Sequence, residues 1–284
     1  MSAKDIIIDA LATNPCRALL SSLERRPIGL SLLNRISYPR CVFSSFAEAW
    51  DAAKRVTYAG HDHPDYLEFQ AGLAGALRPS DYAVLYWFKR INANPLRVLD
   101  FAGSVGNIYY SYASHLRQFT DEMEWVVFDL PNVVEAGKRF AAERGEKQLH
   151  FASSLEGLQG SFIVYVSSAF HYWEKSVAEF VASLPSQSEY IIVNRVPMTV
   201  SQPTFVTVQY KKTFAVPCMV RNRNELISEF AAQEYTLLDS WQAPELCLRM
   251  PLFPLHSISE YSGFCFRRQS ARQQCDPLQA VHAA

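Results

Sequence analysis

Two hydrophobic rhythms divide the chain. Up to about Asn94, apolar residues recur at three- and four-residue spacing, which predicts helices. Asn14-Pro15 opens one that runs toward Arg26, and Ser45-Phe46-Ala47-Glu48 has capping-box spacing ahead of Trp50 and Ala53. Pro64 to Leu77 and Asp81 to Ile91 are two more, split by Arg78-Pro79-Ser80. Tyr82, Leu85, Tyr86 and Phe88 form a stripe on the second. From Leu96 the rhythm changes to short apolar runs alternating with helical stretches. Strands are predicted at Leu96–Phe101, Glu124–Phe128, Leu149–Phe151, Phe162–Val166 and Tyr190–Asn194, and helices at about Asn107–Phe119, Pro131–Arg144 and Lys175–Leu184. Such alternation implies a doubly wound parallel sheet with helices on both faces. Beyond it, Pro197–Val220 loosens into scattered aromatics and prolines, readable as a lid or an excursion beside the active site. Asn222 caps a helix over Arg223–Gln233, and Thr236–Trp241 and Gly263–Arg268 are two further strand candidates. The reading is therefore a helical cap over 1–94, an α/β body over 95–268 and a polar tail over 269–284.

The body is organised around Arg97-Val98-Leu99-Asp100-Phe101-Ala102-Gly103-Ser104-Val105-Gly106. Val98 and Leu99 make a buried strand core and Asp100 ends it. Ala102, Gly103, Ser104 and Gly106 give a turn with almost no side chain, so a ligand can approach the backbone. A dinucleotide fingerprint carries its acid only at the end of the next strand. Here the acid precedes the small residues. The bare alternative is a packing turn with no ligand. Asp129, closing the second strand, stands where ribose hydroxyls are bound in such folds, and could equally cap the helix opening at Pro131.

Composition narrows the class. An apolar fraction of 49% supports a sizeable core, and a net charge of -1 leaves no basic footprint for nucleic acid. Cys16, Cys41, Cys218, Cys247, Cys265 and Cys275 contain no Cys-x-x-Cys pair and read as reduced thiols of a cytoplasmic protein. The first apolar run carries Lys4, Asp5 and Asp9, unlike a signal peptide, and no stretch is long enough to span a bilayer. His61-Asp62-His63-Pro64-Asp65 has metal-ligand residue types but reads more simply as a helix-entry loop, so no metal is expected. A homodimer is left open.

The Asp-x-small-x-small-x-Gly run resembles the first motif of class I S-adenosylmethionine (SAM) methyltransferases, with Ala102 and Ser104 in place of two glycines. Asp129-Leu130-Pro131 and Phe170-His171-Tyr172-Trp173 are similar to segments of caffeate-type small-molecule O-methyltransferases. Leu-Asp-Phe-Ala-Gly-Ser-Val-Gly over 99–106, Asn194-Arg195-Val196-Pro197 and Thr207-Val208-Gln209 look more like a bacterial methyltransferase family associated with surface-polysaccharide or secondary-metabolite clusters. The resemblance is best over 96–210. It implies a seven-strand Rossmann-like sheet with its last strand antiparallel, SAM as cofactor, and methyl transfer to a hydroxyl or other heteroatom of a small metabolite or glycan precursor. Carried over residue by residue, Asp100, Ala102, Gly103, Ser104, Gly106, Asp129, Leu130, Ser153, Ser154 and Ser167 bind the cofactor, with the two serines after strand three at the adenine edge.

His171 would be the general base, an imidazole whose ordinary pKa of about 6.5 leaves it largely neutral near pH 7. Tyr109, Tyr172 and Trp173 wall the substrate pocket or belong to the core. Arg195 holds an anionic acceptor group or pairs with a neighbouring carboxylate. Two rivals stay open at this point: an NAD- or nucleotide-sugar-dependent enzyme using the same crevice, and a catalytically degenerate methyltransferase fold acting as a partner subunit.

Overall fold

The computed structural model describes residues 41–55, 58–60, 72, 75–117, 122–185, 188–210 and 214–269. In chain order they form α1 (Phe46–Lys54), β1 (Tyr58–Ala59), α2 (Asp81–Ile91), β2 (Leu96–Phe101), α3 (Asn107–Leu116), β3 (Met123–Phe128), α4 (Pro131–Arg144) and β4 (Leu149–Ala152). There follow β5 (Ile163–Ser167), a 3₁₀ turn (Phe170–Tyr172), α5 (Val177–Ser183), β6 (Tyr190–Val196), β7 (Met198–Thr199), β8 (Phe205–Tyr210), β9 (Phe214–Asn222), α6 (Arg223–Ala231), β10 (Tyr235–Ala243) and β11 (Tyr261–Arg268). The predicted helices at Asn14–Arg26 and Pro64–Leu77, the His61–Asp65 run and the tail lie wholly or largely outside the described residues.

Seven strands make the main sheet in the order β10-β11-β6-β5-β2-β3-β4. β6, β5, β2, β3 and β4 run parallel, and β11 lies antiparallel between β6 and β10. This is the seven-strand methyltransferase sheet expected from the sequence, reversed strand included. The chain moves outward from β2 to β4 and then returns to β5 on the other side of β2. The topological switch point thus falls at the carboxyl ends of β2 and β5, where open α/β sheets bind ligands.

Mostly apolar runs make these strands because both faces of the sheet are covered. One face, carrying Val98, Trp125, Val127, Tyr165 and Ile192, packs on Val84 and Phe88 of α2 and Tyr109, Tyr112 and Leu116 of α3. The other, carrying Leu99, Phe101, Val164, Val166 and Ile191, packs on Val177 and Phe180 of α5 and Leu226 and Phe230 of α6. The ends of the helices follow their side chains. Ser176 and Glu179 close a reciprocal capping box on α5, and Asn222 accepts the N–H groups of Asn224 and Glu225 to open α6. Pro131 begins α4 and Gly145, in the left-handed conformation, ends it.

Two features depart from the sequence reading. The 197–220 segment is a β-hairpin, β8 against β9, inserted between β6 and α6. The region before Asn94 is not all helix, because Tyr58–Ala59 is a strand that pairs parallel with Phe214–Ala215. Phe43 also pairs with Val206 across two backbone hydrogen bonds. α1 lies on one face of the hairpin, where the fully buried Ala49 and Ala53 let it approach Val206, Val208, Tyr210 and Ala215 closely. Phe43, α1 and β1 therefore build a second, small layer with the inserted hairpin, while α2 packs on the main sheet.

Candidate active site

The carboxyl edge of the sheet gathers the residues singled out from the sequence: Asp100 in β2, the 102–106 turn after it, Asp129 after β3, Ser153 and Ser154 after β4, and Ser167 ending β5.

Asp100 is fully buried, and its register places it on the same face as Trp125, whose indole N–H donates to Oδ2 at 3.1 Å. Oδ1 has no protein partner. Burial raises the Asp100 pKa from 3.8 to about 7, the Trp125 hydrogen bond works against that, and the charge of Asp129 adds to it. The turn folds directly over this carboxylate. A Cβ on Gly103 would lie 2.4 Å from Asp100 Cγ, so only glycine fits there. Ala102, Ser104 and Gly106 take φ values of 56°, 56° and 80°. This left-handed region is open to glycine and costs other residues about 1–2 kcal/mol. Ala102 and Ser104 thus retain a glycine-type backbone despite their side chains. Ser104 Oγ is buried without a protein partner.

Asp129 faces the same turn. Its Oδ2 accepts the Ser104 N–H at 2.8 Å and its Oδ1 the Leu130 N–H at 2.7 Å. Burial raises its pKa, and these two donors hold it down. The helix-cap alternative is not what forms: Leu130 occupies the cap of α4, with no side-chain cap hydrogen bond. Leu130 itself is exposed beside the turn, and Ser153 and Ser154 are exposed as well. Ser154 Oγ accepts the Glu156 N–H.

On the other side of the switch point, His171 sits in the 3₁₀ turn that follows β5 and is 2% exposed. Its ring centroid lies 4.1 Å from that of Tyr172 and 6.1 Å from that of Tyr261. Trp173 packs edge-on against Phe101 and Phe180. Tyr109 stands in the core on α3, fully buried, with its hydroxyl donating to Glu146 at 2.7 Å. Of its two readings, core is the one its placement matches.

Arg195 resolves toward pairing. Its buried guanidinium is held by Asp81, by Glu245 at 2.9 Å and by the Ser167 hydroxyl at 3.1 Å. Burial opposes its charge, but Tyr165, Asp81, Tyr112 and Glu245 outweigh it and lift the pKa above the ordinary arginine value. Tyr112 also donates to Asp81, and Ser80 to Glu245. Sequence reasoning missed Asp81, Glu245, Tyr112 and Tyr165 as parts of this node. It singled out Gln209 only within a motif, although Gln209 bridges two tyrosines beside His171.

No protein-family model matches the chain, and no curated protein matches it in sequence. Solved structures are similar in fold. Magnesium protoporphyrin IX methyltransferase from Synechocystis, crystallised with SAM, is 13% identical with a TM-score of 0.44, covering 74% of this chain and 87% of that one. The 1,6-didemethyltoxoflavin-N1-methyltransferase from Burkholderia thailandensis is 15% identical with a TM-score of 0.44, covering 68% and 80%. A SAM-dependent methyltransferase from Clostridium acetobutylicum is 12% identical with a TM-score of 0.46, covering 67% and 91%. The fold itself rests on the strand order. Among the described residues no helix is long and apolar enough to cross a membrane, and no group of His, Cys, Asp and Glu is arranged to hold a metal ion.

The buried Asp100 makes a prediction that needs no ligand. Its folded-state pKa of about 7 lies above the ordinary 3.8, so the folded protein keeps a proton that the unfolded chain releases in between. Stability through this group therefore falls as pH rises from about 4 to about 7 and stays low above that. In urea unfolding, Asp100→Asn is expected to gain on the wild type by on the order of 2 kcal/mol between pH 5 and pH 8. A pH-independent difference between the two proteins contradicts the assignment.

Proposed function

We propose that the protein is a SAM-dependent methyltransferase acting on a hydroxyl, or another heteroatom, of a small metabolite or glycan precursor. The observation that carries the reading is the acid-then-turn geometry. Asp100 lies under a turn whose residues 102, 104 and 106 are all left-handed, and Asp129 reaches that turn from the neighbouring strand end.

The residues fit the cofactor chemically. Asp100 Oδ1 and Ser104 Oγ are buried polar atoms with no protein partner, beside a second carboxylate. A sulfonium–ammonium ligand is attracted to such a pair of acids, whereas the pyrophosphate of a dinucleotide is repelled. Asp129 would accept the ribose hydroxyls, Leu130 would cover the adenine ring, with Ser153 and Ser154 at its edge. Asp100 and the backbone from Ala102 to Gly106 would hold the amino-acid end, beside Ser167. Bound there, SAM supplies an electrophilic methyl group.

The remaining work is alignment. Holding two reactants in line supplies on the order of 7–11 kcal/mol, while general-base assistance is typically about 10²–10⁴-fold. His171 takes the proton from the acceptor hydroxyl, and Tyr172 and Trp173 bound the acceptor. Arg195, committed to Asp81 and Glu245, leaves the acceptor side to neutral groups, which suits a neutral hydroxyl better than an anionic one.

Asp129→Ala removes a charge-assisted contact worth about 1.5–3 kcal/mol. S-adenosylhomocysteine is therefore expected to bind roughly 10- to 150-fold more weakly by calorimetry, and unchanged affinity rejects the ribose role. His171→Gln is tested by transfer of a labelled methyl group from SAM across a panel of hydroxylated small molecules. Turnover should drop by about 10²-fold with S-adenosylhomocysteine affinity unaltered, and an undiminished rate removes His171 from the chemistry.

A further inference from the structure

The inserted hairpin reaches the rings beside the candidate base through Gln209. On β8, Phe205, Thr207 and Gln209 share a face, and their cross-strand partners are Val220, Cys218 and Val216 of β9. Gln209 is the amide on that face, and both ends of it are used. Its Oε1 accepts the Tyr172 hydroxyl at 2.8 Å, while its Nε2 donates to the Tyr261 hydroxyl at 3.3 Å and to Cys218 Sγ at 3.5 Å. Tyr172 and Tyr261 are the two rings packed around the His171 imidazole, one from the same 3₁₀ turn and one from the start of β11. Burial keeps the Tyr261 phenol protonated, well above its ordinary pKa, so it remains a neutral partner for the amide. Arg221 of β9 adds a second tie, donating to the Lys175 carbonyl at 3.0 Å just past the same turn.

We infer that Gln209 is a positioning residue for His171: its amide fastens together the two rings that enclose the imidazole, so the hairpin sets where the base stands. The inference rests on His171 being the base. A side-chain amide suits the task because it offers an acceptor and a donor in one rigid plane, and a carboxylate or an aliphatic chain would lose one or both ends.

The test is ¹⁵N-histidine NMR of the whole chain at fixed pH, with the His171 signals assigned by their loss in His171→Gln. In the wild type a single tautomer pattern is expected. In Gln209→Leu that pattern shifts or doubles, and S-adenosylhomocysteine affinity stays within about twofold. Should Gln209→Leu fail to fold, Tyr172→Phe and Tyr261→Phe cut the same bridge while keeping both rings, and the same change is expected of them. A lower melting temperature with His171 signals identical to wild type overturns the inference, since a purely structural glutamine behaves that way. If His171→Gln retains full methyl transfer while Gln209→Leu still moves the imidazole signals, the base assignment fails and the positioning of the ring by Gln209 stands.

Discussion

A carboxylate buried under its own turn shapes the carboxyl edge of the sheet. Asp100 stands near the carboxyl end of β2 with no solvent exposure and a single side-chain donor, the Trp125 indole. The turn closes over it, and a Cβ at position 103 would collide with its carboxylate, so glycine stands there. The same closure drives Ala102 and Ser104 into the left-handed region and aims the Ser104 N–H at Asp129. Raised pKa, backbone strain and orphaned oxygens are all costs to the unliganded protein. Their concentration in seven residues supports the proposed ligand site.

The opposite side of the switch point is built on a different principle. There, buried charges are paired within the protein. Arg195 and Ser168 are left-handed at the ends of neighbouring strands, and the Ser168 N–H donates to the Asn194 carbonyl. From that bend the Arg195 side chain meets Asp81 at the start of α2 and Glu245 after β10, and it also holds the Ser167 hydroxyl. A buried pair of this kind is weak evidence for stability but strong evidence for fixed geometry, because losing one partner strands the others. The node locks the helix that leads into the sheet against the edge where the acceptor would sit.

Much of this was legible in the chain and some was not, for physical reasons. The parallel core was readable because both-face burial leaves apolar runs at 125–128, 162–166 and 190–193, and the helix ends because Pro131, Gly145 and Asn222 act locally. The acid-then-small run at 100–106 was readable because the turn's demands fall on consecutive residues. The hairpin was not, since Pro217 falls inside β9 and its inner face is mixed, with Thr207 and Gln209 among apolar neighbours. The two-residue strand at Tyr58–Ala59 has no period to detect. The partners of Arg195 lie 114 and 50 positions away, so only the folded sheet could choose between its two readings. Tyr109 was ambiguous for a similar reason: an aromatic on a helix face has the same spacing whether it lines a pocket or the core.

On the proposed reading, the bend from Asp100 to Gly106 receives an adenosyl ligand carrying positive charge. Calorimetric titration of the unaltered protein with S-adenosylhomocysteine and, separately, with NAD tests it most directly. Saturable binding of the first and none of the second is the predicted result; binding of NAD, or no heat from S-adenosylhomocysteine, contradicts it.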